Sequence, residues 1–134
     1  MLNPLYHDTE GPSLSFLTDL LAQPFCRAWY LHREHDPLAA VWYQCHSDCA
    51  EIIDLRVRED EQRAGVATRL LRASFDALDG VDKVTLEVRA GNTAARALYE
   101  RMGFQNVGHR ADYYATNQGR EDALLMSVLL GETR

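Results

Sequence analysis

The chain has 134 residues, 46% apolar and 25% charged: one domain's worth of length, with enough apolar side chains for a core without covalent staples. Its 14 basic and 20 acidic residues leave a formal charge of −6, which argues against direct nucleic-acid binding through phosphates and better suits a cationic partner. No apolar run approaches the roughly 20 residues of a membrane helix and no basic-plus-apolar leader opens the chain, so no membrane partner and a cytoplasmic protein with reduced thiols are expected.

Residues 1–12 contain Asn3-Pro4 and Gly11-Pro12 and read as an irregular arm. Residues 13–22, "SLSFLTDLLA", read as a short helix with Ser13 or Ser15 as cap and Leu14, Leu17, Leu20 and Leu21 on one face. Pro24 ends it. Residues 25–33 and 38–47 form a strand hairpin around a turn at 34–37. "AEIIDLRV" (50–57) alternates, with Ile53, Leu55 and Val57 facing one way and Ile52, Asp54 and Arg56 the other.

From Val66 to Leu78 the spacing turns helical, with Leu71, Phe75 and Leu78 on a stripe and Gly80 as the stop. "VTLEVR" (84–89) is again a strand, with Val84, Leu86 and Val88 on one face and Thr85, Glu87 and Arg89 on the other. Asn92 caps a second helix carrying Ala94, Leu98 and Met102, and Gly103 closes it. Residues 104–113 form a strand, 116–120 a loop, and "ALLMSVLL" (123–130), apolar on both faces, a central strand. The whole is one α/β (α+β) domain, a mixed sheet with flanking helices, in which the strands at 50–57 and 84–89 run parallel.

Cys45-His46-Ser47-Asp48-Cys49 looks like a metal clip, but no second cluster supplies the missing ligands and the spacing is no standard zinc pattern. No metal is expected. Cys26, Cys45 and Cys49 read as free, buried or half-buried cysteines near strand ends. His7, His32, His35 and His109 are scattered.

The stretch "EQRAGVATRLL" (61–71) lies between a strand and a helix start, where free amides and the positive helix end favour an anion. It is neither a Walker loop nor a GxGxxG fingerprint. It fits a looser pattern, Gln62-x-x-Gly65-x-Ala67, with small residues where a backbone must approach a pyrophosphate. On these residues alone, a phosphate turn and a charged helix cap are equal readings.

Taken with that loop, "LEVRAGNTAARALYERMGF" (86–104), "HRADYY" (109–114) and "GREDALLM" (119–126) resemble the GNAT superfamily of acyl-CoA-dependent N-acetyltransferases, and within it the bacterial ribosomal-protein alanine N-acetyltransferases. The resemblance implies a mostly antiparallel sheet whose two parallel central strands splay to admit acetyl-CoA. It implies that the backbone of Leu55, Arg56 and Val57 holds the thioester and pantetheine arm. The amides of Gln62, Arg63, Ala64, Gly65, Val66 and Ala67 would hold the pyrophosphate, and Asn92 and Tyr99 would touch the cofactor. Glu87 matches the family's general base and Tyr99 its general acid.

Physical chemistry agrees with those two roles. A carboxylate on the non-apolar face of a central strand needs a cleft to solvate it. Tyr99, about two helical turns past Asn92, returns toward the same strand end. Amides near Val57 would meet a developing oxyanion. An α-amine has a pKa near 7.7–8.0 against about 10.4 for lysine, so a modest carboxylate base suits a protein N-terminus. The resemblance names the N-terminal alanine of a small-subunit ribosomal protein as acceptor. Tyr113 and Tyr114 read equally as one wall of a peptide channel and as strand-end aromatics. A small-amine acetyltransferase and a non-catalytic acyl-CoA-binding module are the competing readings. Where the family has a leading strand–helix unit this chain has only the arm, a shortened N-terminus. The bare sheet edge that this leaves predicts a homodimer or partner-bound form.

Overall fold

A computed structural model describes residues 2, 5, 6, 12–62 and 65–133. Its elements are α1 (Leu14–Leu21), β1 (Cys26–Arg33), β2 (Asp36–His46), β3 (Cys49–Val57), a 3-10 turn (Glu59–Glu61), α2 (Val66–Ala77), β4 (Lys83–Arg89), α3 (Thr93–Arg101), β5 (Gln105–Thr116), β6 (Gly119–Leu129) and α4 (Leu130–Thr133). The strands form one sheet in the order β1-β2-β3-β4-β6-β5. Only β3 and β4 are parallel. The expected mixed sheet with flanking helices is therefore present, and β6 is interior as its two-faced apolarity predicts. Among the described residues no helix is long and apolar enough to cross a membrane.

Local chemistry explains the helix ends. Ser13 caps α1, its hydroxyl accepting from the Phe16 N–H at 3.1 Å. The Asn92 side chain caps α3 by accepting from the Ala95 N–H at 3.2 Å. Gly103, at φ +95°, adopts the left-handed turn that closes α3. The buried stripe of α3 falls on Tyr99 and Met102, with Ala95 and Leu98 packed beside them, while Ala94 is exposed. The stripe thus lies one residue away from the expected Ala94.

The core joins Leu38, Val41 and Tyr43 of β2 to Leu70, Leu71 and Phe75 of α2. A buried polar pair crosses it. Ser74 donates to the Leu71 carbonyl at 2.8 Å, which leaves its oxygen to accept from the Tyr43 hydroxyl at 2.7 Å.

The alternation expected in β3 is corrected by a bulge. Trp42 pairs with Asp54 and Tyr43 with Ile52, so Ile53 is an extra residue. An extra residue resets the parity of a strand. Ala50 and Ile52 are buried, and beyond the bulge Leu55 and Val57 pack against the same core. Ile52 therefore faces the core with Leu55 and Val57, and Asp54 and Arg56 occupy the other face.

Two residues of the arm dock on that other face. Leu5 is buried. The Tyr6 hydroxyl donates to Asp54 and accepts from Trp42 Nε1, both at 2.8 Å. The Arg56 guanidinium stacks over the Tyr6 ring, 4.4 Å from its centroid. The β5–β6 connection is tighter than the expected five-residue loop. The strands run to Thr116 and from Gly119, so Tyr113 and Tyr114 lie within β5.

Candidate active site

The two parallel strands pair in only three rows, Cys49 with Lys83, Ala50 with Val84 and Glu51 with Thr85. Beyond these rows β3 continues to Val57 and β4 to Arg89 without pairing to one another. The outer side of β3 stays paired with β2 as far as Val57–Ala39. A wedge therefore opens where the two strands part, with no other strand between them among the described residues, and the backbone of Leu55, Arg56 and Val57 lines one side of it.

At the wide end stands the start of α2. Gly65 is its cap, left-handed at φ +78°, with no side-chain acceptor to offer. The first intrahelical bond runs from the Arg69 N–H to the Gly65 carbonyl, 3.0 Å. The amides of Val66, Ala67 and Thr68 accordingly emerge from the helix end without an intrahelical acceptor. No acidic residue occupies this first turn. Two of the three acids of the preceding turn are answered by arginines, Glu61 by Arg33 at 2.9 Å and Asp60 by Arg58 at 2.6 Å. Among the described residues, a Cβ on Gly65 would meet nothing within 4 Å. Gln62 is exposed beside it. Arg63 and Ala64, the other expected contributors, lie outside the described residues.

The start of α3 is different. Asn92 spends its side-chain oxygen on the cap, which leaves its amide nitrogen as the group able to donate outward. With Arg89, Gly91, Thr93, Ala94 and Glu121 it lines a shallow open depression.

Glu87 lies on the face of β4 opposite Val84, Leu86 and Val88, half-buried. Its Oε1 pairs with Arg110 Nη2 at 3.1 Å. Tyr99 is buried, edge-on to Phe104 with ring centroids 5.5 Å apart. Burial, reinforced by the charge of Asp54, pushes its phenol well above the usual tyrosine range. It stays protonated at neutral pH, as a proton donor must. Tyr113 is exposed and Tyr114 half-buried. Burial also pushes the Tyr114 phenol up, followed by the Glu87 and Tyr113 charges.

The acetyltransferase (GNAT) family profile matches residues 3–104. This chain belongs to that family. Ribosomal protein bS18-alanine N-acetyltransferase of Escherichia coli (strain K12) is 45% identical over 83 residues, 60% of this chain and 56% of that protein. The match thus spans little more than half the length of that relative. A Bacillus subtilis (strain 168) protein provisionally named for the same activity is 32% identical over 124 residues, 88% of this chain and 78% of that protein. The crystal structure of ribosomal-protein-S18-alanine N-acetyltransferase from Escherichia coli has a TM-score of 0.84 at 34% identity, over 96% of this chain and 87% of that one.

The GNAT frame also brings together residues that sequence reasoning missed. Glu51 shares the Glu87 face, and burial followed by the Glu87 charge pushes its carboxyl up. Asp54 anchors Tyr6. Arg110 reaches Glu87 from a strand two places away. Only the alternation around Glu51 was visible in the sequence; the Asp54 and Arg110 contacts join residues 48 and 23 positions apart, Tyr6 to Asp54 and Glu87 to Arg110. Among the described residues, Cys45, His46 and Cys49 belong to no set able to hold a metal, and all three cysteines are free.

Proposed function

We propose that this chain transfers the acetyl group of acetyl-CoA to the N-terminal α-amine of a protein in the cytoplasm, with the N-terminal alanine of a small-subunit ribosomal protein as acceptor. The observation that carries the reading is the wedge. Two splayed strand edges suit an extended chain bearing amides, an open helix start suits a pyrophosphate, and β4, one of the two strands, carries the Glu87 carboxylate. The activity for which the bS18-alanine relatives are named supports the acceptor.

In this reading Leu55, Arg56 and Val57 orient the pantetheine arm and the thioester through their main chain. Gln62, Arg63, Ala64, Gly65, Val66 and Ala67 hold the pyrophosphate, and Asn92 donates to the cofactor. The amine nitrogen bonds to the thioester carbonyl carbon, and Glu87 takes its proton directly or through water. Amides near Val57 meet the carbonyl oxygen as it gains charge. The carbon–sulfur bond then breaks and Tyr99 gives its proton to the departing thiolate. Solvent returns that proton to Tyr99 and removes the one on Glu87. Tyr113 and Tyr114 form a wall of the acceptor channel.

The test is incubation with acetyl-CoA and a ribosomal-protein extract, read by intact mass. Gain of one acetyl group on an α-amine is expected. Binding of acetyl-CoA without any acetylation would favour a non-catalytic module, and turnover confined to small amines would favour the small-amine reading. The β1 edge has no strand partner among the described residues, which supports pairing with a second copy. Light scattering that finds an active monomer opposes that part.

A further inference from the structure

Arg110 lies on β5, the outermost strand, yet its guanidinium reaches Glu87 on β4, with β6 between them. Neighbouring strands are about 4.8 Å apart, so the side chain bridges roughly 10 Å of backbone separation. Two local features allow it. The row that joins Glu87, Leu125 and Gly108 carries no side chain on β5, and a Cβ there would sit 3.4 Å from Leu125 Cδ1. The β6 partner of Arg110 is the small, buried Ala123.

The backbone after Arg110 is held in an uncommon shape. Arg110 pairs with Ala123 and Tyr114 with Glu121, so β5 bulges between them. Asp112 takes a left-handed φ of +53°. Its N–H donates to the Asp122 carboxylate at 2.9 Å. Arg120 donates to the carbonyls of Asp112 at 2.6 Å and Tyr113 at 3.1 Å. Arg110 itself packs over the Tyr113 ring, 5.2 Å from its centroid. All this supports an ion pair whose arginine side chain is 54% exposed. The Glu87 side chain is 20% exposed, and a pair open to solvent on its arginine side contributes little to stability. A pinned bulge that aims one arginine at the general base calls for a role in the reaction.

The acceptor's own chemistry supplies one. A peptide N-terminus has a single amino group with a carbonyl oxygen on the neighbouring carbon. A polyamine has several ammonium groups and no acceptor. Arg110 commits one nitrogen to Glu87 and has further N–H donors to give. We propose that Arg110 selects the acceptor: it donates to the first peptide carbonyl, and its charge turns away polycationic amines before they reach Glu87. This rests on the acetyltransferase reading above and deepens it by assigning how one class of amine is chosen.

The test compares wild type, Arg110→Gln and Arg110→Lys, each with an alanine-initiated peptide and with spermidine. kcat/KM is measured for both acceptors, and acetyl-CoA affinity serves as the control for an intact fold. Wild type should prefer the peptide. Arg110→Gln should raise the peptide KM about tenfold or more, the cost of a lost charged hydrogen bond, and should increase spermidine turnover. Arg110→Lys should go on excluding spermidine while its peptide KM rises. A peptide-to-spermidine ratio that Arg110→Gln leaves unchanged overturns the inference, as does a wild type that prefers spermidine. Parallel loss with both acceptors at normal acetyl-CoA affinity also overturns it, because Arg110 would then serve Glu87 alone. Absence of wild-type turnover with any amine defeats the acetyltransferase reading and this inference together, whereas turnover with an unchanged ratio defeats this inference only.

Discussion

Two strand–helix units meet at the wedge, and they are built to opposite plans. In β3–α2 the helix begins at a bare glycine and leaves its first amides open. In β4–α3 the helix begins at Asn92, whose side chain closes it, and the unit carries Glu87 and Tyr99. An open helix start costs stability that a cap would restore. Leaving one start open and closing the other, a few residues from the same cleft, separates two duties. In the proposed reaction the first unit would hold an anion and the second would move protons.

That division can be broken in order of effect. Glu87→Gln should lower turnover by about 10²–10⁴, the usual contribution of a positioned base, and leave acetyl-CoA affinity unchanged in calorimetry. Tyr99→Phe keeps the ring against Phe104 and should behave alike through loss of the acid. A matching fall in affinity for either variant would mean that the second unit also holds the cofactor. Gly65→Asp converts the open start into a closed, negatively charged one at a φ that aspartate tolerates. It should weaken acetyl-CoA binding by about ten- to a hundredfold, because it both occupies an amide and repels phosphate. Ala67→Leu adds bulk alone and should weaken binding about tenfold, with circular dichroism and melting unchanged. Equal affinity in these last two variants and wild type would remove α2 from the site. Asn92→Ala should cost about 1 kcal/mol, or roughly 4 °C in Tm, with turnover reduced less than in Glu87→Gln.

The elements were legible where the chain's own periodicity decides them. Period-two alternation placed Glu87 off the core, and the Asn92 and Gly103 caps bounded α3 nearly to the residue. Gly65 stands out in the sequence for its lack of a side chain, and it sits left-handed at the helix start. The failures have a common cause. The bulge at Ile53 arises from how β3 registers with β2, so no local pattern announces it. The Arg110–Glu87 pair needs β5 and β4 on either side of β6, an order set by topology. The turn residues predict a strand that ends at Tyr113 and a loop over 116–120, while cross-strand pairing carries β5 through to Thr116 and takes Tyr114 into it.

The splayed edges of the wedge have a practical meaning. A ligand gripped along Leu55 to Val57 would be read by main-chain atoms, which every amino acid shares. Recognition there is indifferent to side-chain identity, and the Arg56 side chain serves another purpose, stacked on Tyr6. Alanine scanning of this segment would report the packing of Leu55 and Val57 on the core and would miss the main-chain contacts. Such a surface can drift widely in sequence while its ligand stays the same.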